Sequence, residues 1–399
     1  MTKRIVHLLG NRMSYREVLT KACILIIPIS VLFYNFTSSK IDDYEQSENA
    51  YLMTAFLLLY SSLFCYKHRE YLHYREVGFL LLFFFSSLPA FLLSNFFGLS
   101  TYLRYFAIIS FIPLGFMTGV MWGHYYYYLR NDRKDKILTI LLIPAAISIV
   151  MIVNSALFSV VDSSNRDYVF GVIFFLPLIL YFKNSFFSTF LLAIALFVCV
   201  FSAKRTGIIC IASIILFYIL IKINANGVKL TNFIFVLLIV SLIFVYFIDT
   251  YMFGMNSLFE ESLGRLNNID DASNDARTYM YGRVIAEVVN SNVFGVLFGH
   301  GCLSTVMLFG NPTHNDWLEI LYDFGLIPFL FIFVFFVSLF FRAILYLRRT
   351  LPASLILMST LLIFLITTIF NCIITNYADS FILLFTLGFA LINLQLSKS

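Results

Sequence analysis

The chain has 399 residues, of which 60% are hydrophobic, 18% aromatic and only 12% charged, and its formal net charge at pH 7 is +5. This composition excludes a soluble globular protein, because a soluble domain of this length does not need so much apolar surface. Several apolar runs also approach or exceed the length that crosses a bilayer. The sequence therefore predicts an all-α polytopic membrane protein. The six cysteines lie at no spacing typical of a disulfide framework or a zinc site.

The N-terminal stretch MTKRIVHLLGNRMSYREVLTK is basic, but no short apolar region with a small-residue cleavage site follows it. We therefore interpret the first apolar run as a retained membrane span rather than a signal peptide. Hydropathy then predicts about twelve spans. Their ranges are 22–37, 50–66, 78–96, 104–123, 137–156, 168–182, 186–202, 207–221, 233–250, 322–341, 353–372 and 379–396.

These spans divide the chain into three parts. Residues 1–250 contain the first nine spans, residues 251–321 form one large outside segment, and residues 322–399 contain the last three spans. The large segment includes the amphipathic stretch RTYMYGRVIAEVV, so we expect short helices folded over the membrane mouth. Five prolines fall inside spans and are expected to kink them: Pro28, Pro89, Pro113, Pro144 and Pro177.

The distribution of Lys and Arg orients the predicted spans. An even number of spans puts both chain ends on one side, and assigning that side to the cytoplasm gives 19 Lys and Arg inside against 8 outside. Cytoplasmic loops of membrane proteins carry an excess of basic residues, so this orientation is favoured. The acidic residues, with 17 outside and 5 inside, are consistent with it. Both termini are therefore predicted in the cytoplasm, with the large segment on the opposite side.

Lys204 and Arg205 form a basic turn between two predicted spans at the outer boundary, against the general charge bias. Such side chains can reach lipid phosphates simply by snorkelling. The alternative is a binding site for a lipid-linked phosphate, which would approach at this depth. Arginine suits such a site because its planar fork binds phosphate in bidentate fashion and keeps its charge.

Three further outside arginines are candidates for the same task. Arg277 and Arg283 lie six residues apart, so on a helix they would be separated by about 120° and would flank a two-phosphate group rather than meet at one atom. Arg104 opens a predicted span in the stretch TYLRYFAII. For each of these residues, an ordinary solvated charge remains the alternative. Arg166 and Arg265 are interpreted as ordinary loop charges.

His314 lies in the polar run NPTHNDWLEILYDFGLIPF, which precedes a long apolar stretch. A helix that starts here explains the neighbouring residues, because Thr313 or Asn315 can cap it and Asp316 and Glu319 are favourable in its first turn. The same account does not explain the histidine. An imidazole with an ordinary pKa near 6.5 is well matched to accept a proton at neutral pH. His314 is therefore a candidate general base, while His300, between two glycines in FGHG, is interpreted as a turn residue.

Three stretches together resemble the O-antigen ligase and polymerase superfamily. The run HNDWLEILYDFGLIPF is similar to the family signature of His-Asn, two residues, Leu-Glu and then Gly-Leu-Ile at the start of a span. The turn AKRTG is similar to the family's basic turn between two spans. In ARTYMYGRVIAEVVNSNVFGVLFGHG the family pattern is an Arg, an aromatic residue four positions on and a later Gly-x-Gly, here Arg277, Tyr281, Gly299 and Gly301. Asn292 departs from the pattern, because proline is common there.

The resemblance covers residues 190–345 and the general architecture. It implies a glycosyltransferase of the bacterial inner membrane that acts at the periplasmic face on a sugar donor linked to undecaprenyl pyrophosphate. It also implies inversion at the anomeric carbon by single displacement, with no metal or other cofactor. The implied residues are His314 as the general base, Lys204, Arg205, Arg277, Arg283 and Arg104 for the pyrophosphate, and Asn315, Asp316, Glu319 and Tyr281 in supporting roles.

The choice between the two family activities depends on the acceptor. The Lys-Arg-Thr form of the turn and the THNDWLE form of the polar run favour a polymerase, which adds the growing chain to another lipid-linked repeat unit, over a ligase, which transfers it to lipid A–core. Expected partners are the donor lipid, the bilayer and, by the resemblance, a chain-length regulator, with no nucleic acid. A lipid-linked oligosaccharide flippase would carry charges near its span centres, where this chain has almost none. A sensor or scaffold without catalysis is a further alternative.

Overall fold

The structure is a computed structural model that describes residues 14–38, 48–94, 99–157, 168–201, 205–226, 273–310, 313–371 and 377–397. Every regular element in these ranges is helical, as the sequence predicts. The α-helices are α1 (Tyr15–Ser38), α2 (Glu48–Lys67), α3 (Arg75–Leu93), α4 (Leu99–Tyr128), α5 (Asn131–Leu141), α6 (Ile143–Leu157), α7 (Tyr168–Ile173), α8 (Leu176–Ile179), α9 (Ser185–Phe201), α10 (Arg205–Asn226), α11 (Ser273–Asn290), α12 (Val293–Phe298), α13 (Ser304–Phe309), α14 (Asp316–Glu319), α15 (Leu326–Tyr346), α16 (Leu351–Phe370) and α17 (Tyr377–Leu396).

The described helices confirm a multi-pass membrane protein. By length and composition, seven helical stretches are able to cross a bilayer, and three shorter apolar helices lie where the sixth, seventh and eighth spans are predicted. The first predicted span lies within α1, and the ninth, residues 233–250, lies outside the described residues. The seven stretches are Asn49–Lys67, Arg75–Leu93, Phe106–Tyr128, Asn131–Ile152, Leu326–Tyr346, Leu351–Phe370 and Ala378–Leu396.

The prolines predicted to kink spans have two different effects. Pro28, Pro89 and Pro113 lie inside the continuous helices α1, α3 and α4. Pro144 instead stands in the first turn of α6, immediately after α5 has ended, and Pro177 stands at the start of α8. A proline in the first helical turn lacks only an N–H that would have no partner inside the helix. These two prolines therefore stand just after short interruptions in the helical stretches Asn131–Ile152 and Val169–Ile179.

The centre of the bundle is the pair α4 and α17, which is more deeply buried than the other candidate spans. Gly115, Gly119 and Gly123 repeat every four residues along α4 and place its backbone directly against α17. A Cβ added to Gly119 would lie 2.0 Å from the carbonyl oxygen of Phe385. Small residues at this spacing allow helix backbones to approach closely, and dispersion contacts then stabilise the pair in an apolar solvent.

Contacts at the two ends of α3 distinguish the two ends of the bundle. Near its start, Glu76 pairs with Arg342, with Oε1 2.6 Å from Nε, and accepts a hydrogen bond of 2.9 Å from the Ser338 hydroxyl. Beyond its other end, the Ser94 hydroxyl accepts a hydrogen bond of 2.7 Å from the backbone N–H of Cys302. Segments predicted to be cytoplasmic therefore meet at one end, and segments predicted to lie outside meet at the other.

Candidate active site

The polar run begins a short helix that is capped as the sequence predicts. The Asn315 side chain accepts hydrogen bonds from the backbone N–H groups of Trp317 at 3.1 Å and Leu318 at 3.2 Å. These are two of the donors that an α-helix leaves without partners at its start, so the cap stabilises α14. After Glu319 the chain forms a π-helical segment, Ile320–Phe324, before α15 begins. Such single π turns are frequent at functional sites.

Glu319 closes the loop that carries His314. Its Oε1 atom accepts hydrogen bonds from both the backbone N–H and the hydroxyl of Thr313, at 2.7 and 3.0 Å. The Thr313 hydroxyl also contacts the backbone of Asn315. His314, held between these anchored neighbours, is half-buried and has φ 57°, in the left-handed region that non-glycine residues rarely adopt. The surrounding hydrogen bonds therefore fix a strained backbone, which is common at active sites.

Three acidic side chains are buried in the segment 313–324, which we call the mouth of the site: Asp316, Glu319 and Asp323. Asp323 accepts hydrogen bonds from the backbone N–H groups of Leu303 and Thr305, each at 2.9 Å. Burial raises the pKa of Asp323 well above its usual value, and the nearby Glu319 raises it further, although the two N–H donors oppose the shift. Asp323 therefore connects the His314 segment to the loop that follows α12.

The Gly-x-Gly motif forms the other half of this connection. Gly299 has φ 78° and lies so close to the π segment that an added Cβ would be 2.2 Å from the carbonyl oxygen of Asp323. Gly325 has φ 91°, and an added Cβ there would lie 2.4 Å from the nitrogen of Gly299. Only glycine satisfies both the positive φ and the close approach. Two of the sequence motifs are therefore in direct backbone contact.

His300, which the sequence suggests is only a turn residue, is an anchored side chain. Its ring stacks on Tyr322 with centroids 4.3 Å apart. Its Nε2 atom lies 2.8 Å from the Ser291 hydroxyl and its Nδ1 atom 3.2 Å from the Tyr322 carbonyl oxygen. The flanking glycines are the signal that the sequence provides. The stacking partner, 22 residues further along the chain, is not readable from local spacing.

The end of α16 brings two further motifs together. The Trp317 indole N–H donates a hydrogen bond of 3.0 Å to the Thr368 hydroxyl. One turn further on, the Asn371 amide donates a hydrogen bond of 3.3 Å to the hydroxyl of Thr206, beside the start of α10. Thr368 and Asn371 are about 4.5 Å apart along the helix axis. The end of the basic turn and the His314 segment are therefore fixed to the same end of one helix.

A largely apolar cavity of about 780 Å³ extends from this mouth. Asn315, Trp317, Tyr281 and Ile285 line this cavity, and side chains of α10, α14, α15 and α16 supply the remainder. Phe333, Phe340 and Leu365 line the cavity and are also exposed, so it opens sideways toward the surface of the spans. The remaining lining residues are Phe217, Leu318, Phe329, Phe336, Val337, Met358, Leu361, Leu362 and Ile369.

The candidate cations lie on several different helices. Arg277 lies in α11 one turn before Tyr281, Arg205 is the first residue of α10, and Arg104 lies near the start of α4. Lys204 lies outside the described residues. Arg283 is about 200° around α11 from Tyr281. Its Nε atom is 3.9 Å from Glu287 Oε1, and its guanidinium lies over the ring of Phe309.

No group of three or more His, Cys, Asp or Glu side chains is placed to hold a metal ion in the part of the chain that the structure describes. The acids at the mouth instead bind backbone and hydroxyl donors. Asp323 and Glu319 each accept at least two such hydrogen bonds. Their observed role is to position the backbone.

Comparison with known families finds one matching family model, whose range spans the three motifs. Residues 190–333 match the family model Wzy_C, described as O-Antigen ligase, and this range contains the basic turn, the α11–Gly-x-Gly stretch and the His314 run. No curated protein matches the chain. The family match confirms the resemblance that the three motifs indicate. The chain therefore carries an O-antigen ligase family domain over residues 190–333, consistent with the O-antigen ligase and polymerase superfamily.

Proposed function

We propose that the chain is a glycosyltransferase that polymerises O-antigen repeat units linked to undecaprenyl pyrophosphate, acting at the periplasmic face of the bacterial inner membrane. The observation that carries this proposal is the convergence of the three motifs on one mouth. Thr206 and Trp317 are both tied to the end of α16, while Tyr281 lines the same cavity as Trp317. Because these segments are far apart in the sequence, a shared site is the simplest physical reason for their meeting.

The apolar cavity suits the hydrocarbon chain of the donor. Its walls are almost entirely aromatic and aliphatic, and it opens sideways where a lipid approaches from the bilayer. Burial of each CH₂ group contributes about 0.8 kcal/mol relative to water. For a lipid already in the membrane, the cavity instead selects by shape and position. The pyrophosphate head would then lie at the polar mouth, near Asn315.

Basic residues near the starts of α10 and α11 suit the leaving group. Arg205 is the first residue of the 22-residue helix α10, whose positive dipole end adds to its own charge. Arg277 precedes the cavity residue Tyr281 by one turn of α11. We assign these two arginines, with Lys204 and Arg104, to the pyrophosphate. Arg283 forms an ion pair with Glu287, which offsets part of its charge, and we assign it to the rim of the same site.

His314 supplies the base. In this mechanism the acceptor hydroxyl oxygen attacks the anomeric carbon, the bond from that carbon to the pyrophosphate oxygen breaks, and the leaving group keeps the electron pair. The hydroxyl proton passes to His314, and the arginines stabilise the negative charge that develops on the pyrophosphate. The attack comes from the face opposite the leaving group, so the anomeric centre inverts. The step requires no metal.

The orientation proposed for this mechanism places both termini in the cytoplasm. It rests on the excess of basic residues in the predicted cytoplasmic segments and on the way that α3 separates the two ends of the bundle. The candidate site lies at the end of the bundle where Ser94 contacts Cys302, which the orientation places in the periplasm.

A lipopolysaccharide gel from a deletion strain tests the proposal. Core bearing a single repeat unit is expected for a polymerase. Bare core with accumulated lipid-linked polymer would instead identify a ligase, the activity that the matched family description names. Complementation with His314→Ala at equal membrane abundance tests the base, with His73→Ala as the matched control because His73 is exposed near the opposite end of α3. A normal ladder from His314→Ala would overturn the assignment.

A further inference from the structure

Four large apolar side chains of α11 and α12 are exposed although they lie outside every candidate span. The exposed fraction is 51% for Ile285, 75% for Val289, 76% for Val293 and 53% for Phe294. The sequence places this segment in an aqueous loop, where such a group of side chains would be unfavourable. Scattered exposed apolar residues are normal, but a contiguous set along one stretch indicates an interaction surface.

The two long sides of α11 differ in chemistry. Ile285 and Val289 are one turn apart and therefore share a face. The opposite face is polar. It carries Arg283, Glu287 and Asn290, each about 100–160° around the helix axis from Ile285 and Val289. The charged pair Arg283–Glu287 is partly exposed on that face. This division is typical of a helix that lies in the plane of a membrane surface, with one side in lipid and the other in water.

The apolar face is continuous with the surface of the spans. Ile285 lines the same cavity as Phe333 and Phe340, which are exposed on the candidate span α15. The helix α12 packs against both α15 and α3, two candidate spans, at the end of the bundle where Ser94 contacts Cys302. A lipid that covers the exposed side of α15 would therefore meet α11 and α12 at the boundary of the same leaflet.

We propose that α11 and α12 form an interfacial element whose apolar face, made by Ile285, Val289, Val293 and Phe294, is embedded in the acyl chains of the adjacent leaflet. The partner is thus a phospholipid surface. The bilayer holds α11 at a fixed depth, and with it Tyr281 and Ile285, which line the cavity. This inference does not depend on the reaction proposed above, because it concerns only how the segment meets lipid.

Two adjacent cysteine substitutions test this placement. Val289→Cys lies on the apolar face, and Asn290→Cys, about 100° further around the helix, lies on the polar side and is exposed. Each is introduced with Cys23→Ser and Cys372→Ser, labelled with an environment-sensitive fluorophore and reconstituted in phosphatidylethanolamine–phosphatidylglycerol vesicles. Quenching by phospholipids with brominated acyl chains is compared with quenching by aqueous iodide. Label bound to the parent without the new cysteine is subtracted.

The expected result is that brominated lipid quenches the label at residue 289 several-fold more than at residue 290, and that iodide shows the reverse order. Bromine close to the headgroup should quench more than bromine near the bilayer centre, because the helix lies at the interface. Equal iodide quenching at both positions would overturn the proposal. The proposal would also be overturned if Val289→Cys failed to label in folded protein, because another part of the protein would then cover the face. Disulfide-linked dimers at residue 289 would overturn it too, because a second copy would then cover the face.

Discussion

The carboxylate of Glu319 binds Thr313 twice, through the backbone N–H at 2.7 Å and through the hydroxyl at 3.0 Å. This pair closes the seven-residue stretch 313–319 that contains His314. Both partners are buried, so neither can replace the other with bulk water. The base proposed for the reaction is therefore positioned by an acid that is itself outside the reacting atoms.

Substitutions at Glu319 separate positioning from charge. Glu319→Ala leaves the buried Thr313 N–H without its partner, which costs about 1–3 kcal/mol, and frees the loop. We expect a large fall in kcat with a smaller change in KM. Glu319→Gln keeps an oxygen acceptor and should retain much more activity. The measurement is polymer formation by purified enzyme. If Ala and Gln are equally active at equal folded amounts, Glu319 does not position the base.

The left-handed backbone of His314 gives a second prediction. A non-glycine residue in this conformation costs roughly 1–2 kcal/mol. Replacement by glycine removes that cost but gives up about 0.4–1 kcal/mol through a more flexible unfolded chain. We therefore expect His314→Gly to be slightly more thermostable than His314→Ala in detergent, although both are inactive. Added imidazole should restore activity to the glycine variant. An active His314→Gly without imidazole would exclude a base at this position.

Much of the fold and part of the site could be predicted from the sequence. Hydropathy identifies helices because apolar runs of this length report directly on the bilayer, and the cap at Asn315 is a local pattern. The contacts of Trp317, in contrast, are not a local pattern. Its ring packs edge-on against Phe329, Phe333 and Phe336, and its N–H reaches Thr368, 51 residues away. Partners so distant in sequence follow from tertiary packing, which local spacing does not encode.

Gly119, in the close contact between α4 and α17, and Gly78, in α3, should respond in opposite ways to substitution by alanine. Gly119→Ala would place a Cβ 2.0 Å from the carbonyl oxygen of Phe385, so the two helices must separate. Overpacking of this kind costs about 1–3 kcal/mol. Gly78→Ala, in α3, meets nothing within 4 Å and should stabilise its helix by about 0.5–1 kcal/mol. Thermal aggregation in detergent checks both. Equal melting temperatures would contradict the close approach of α4 and α17.

The raised pKa of Asp323 predicts a pH dependence of stability. Since burial makes the folded pKa higher than the unfolded value near 3.9, the folded state holds the proton more tightly. Stability from this group is thus fully present below the unfolded pKa and decreases as pH rises toward the folded pKa. Asp323→Asn, which cannot ionise, should show a shallower decrease when unfolding temperatures are measured from pH 4 to pH 8. An unchanged slope would show that Asp323 does not contribute.

The ion pair at the opposite end of the bundle should affect stability without affecting the reaction. The Glu76 side chain is fully buried, and Arg342 Nε lies 2.6 Å from its Oε1 atom. Arg342→Ala leaves a buried carboxylate without its partner, for which about 3–5 kcal/mol is typical. Glu76→Gln in the same chain removes the stranded charge while keeping an acceptor for Ser338, and should recover part of the loss. Activity per folded molecule should match wild type in both variants, because the pair lies at the end of α3 remote from His314. Reduced specific activity in the recovered double variant would instead mean that the two ends of α3 are coupled.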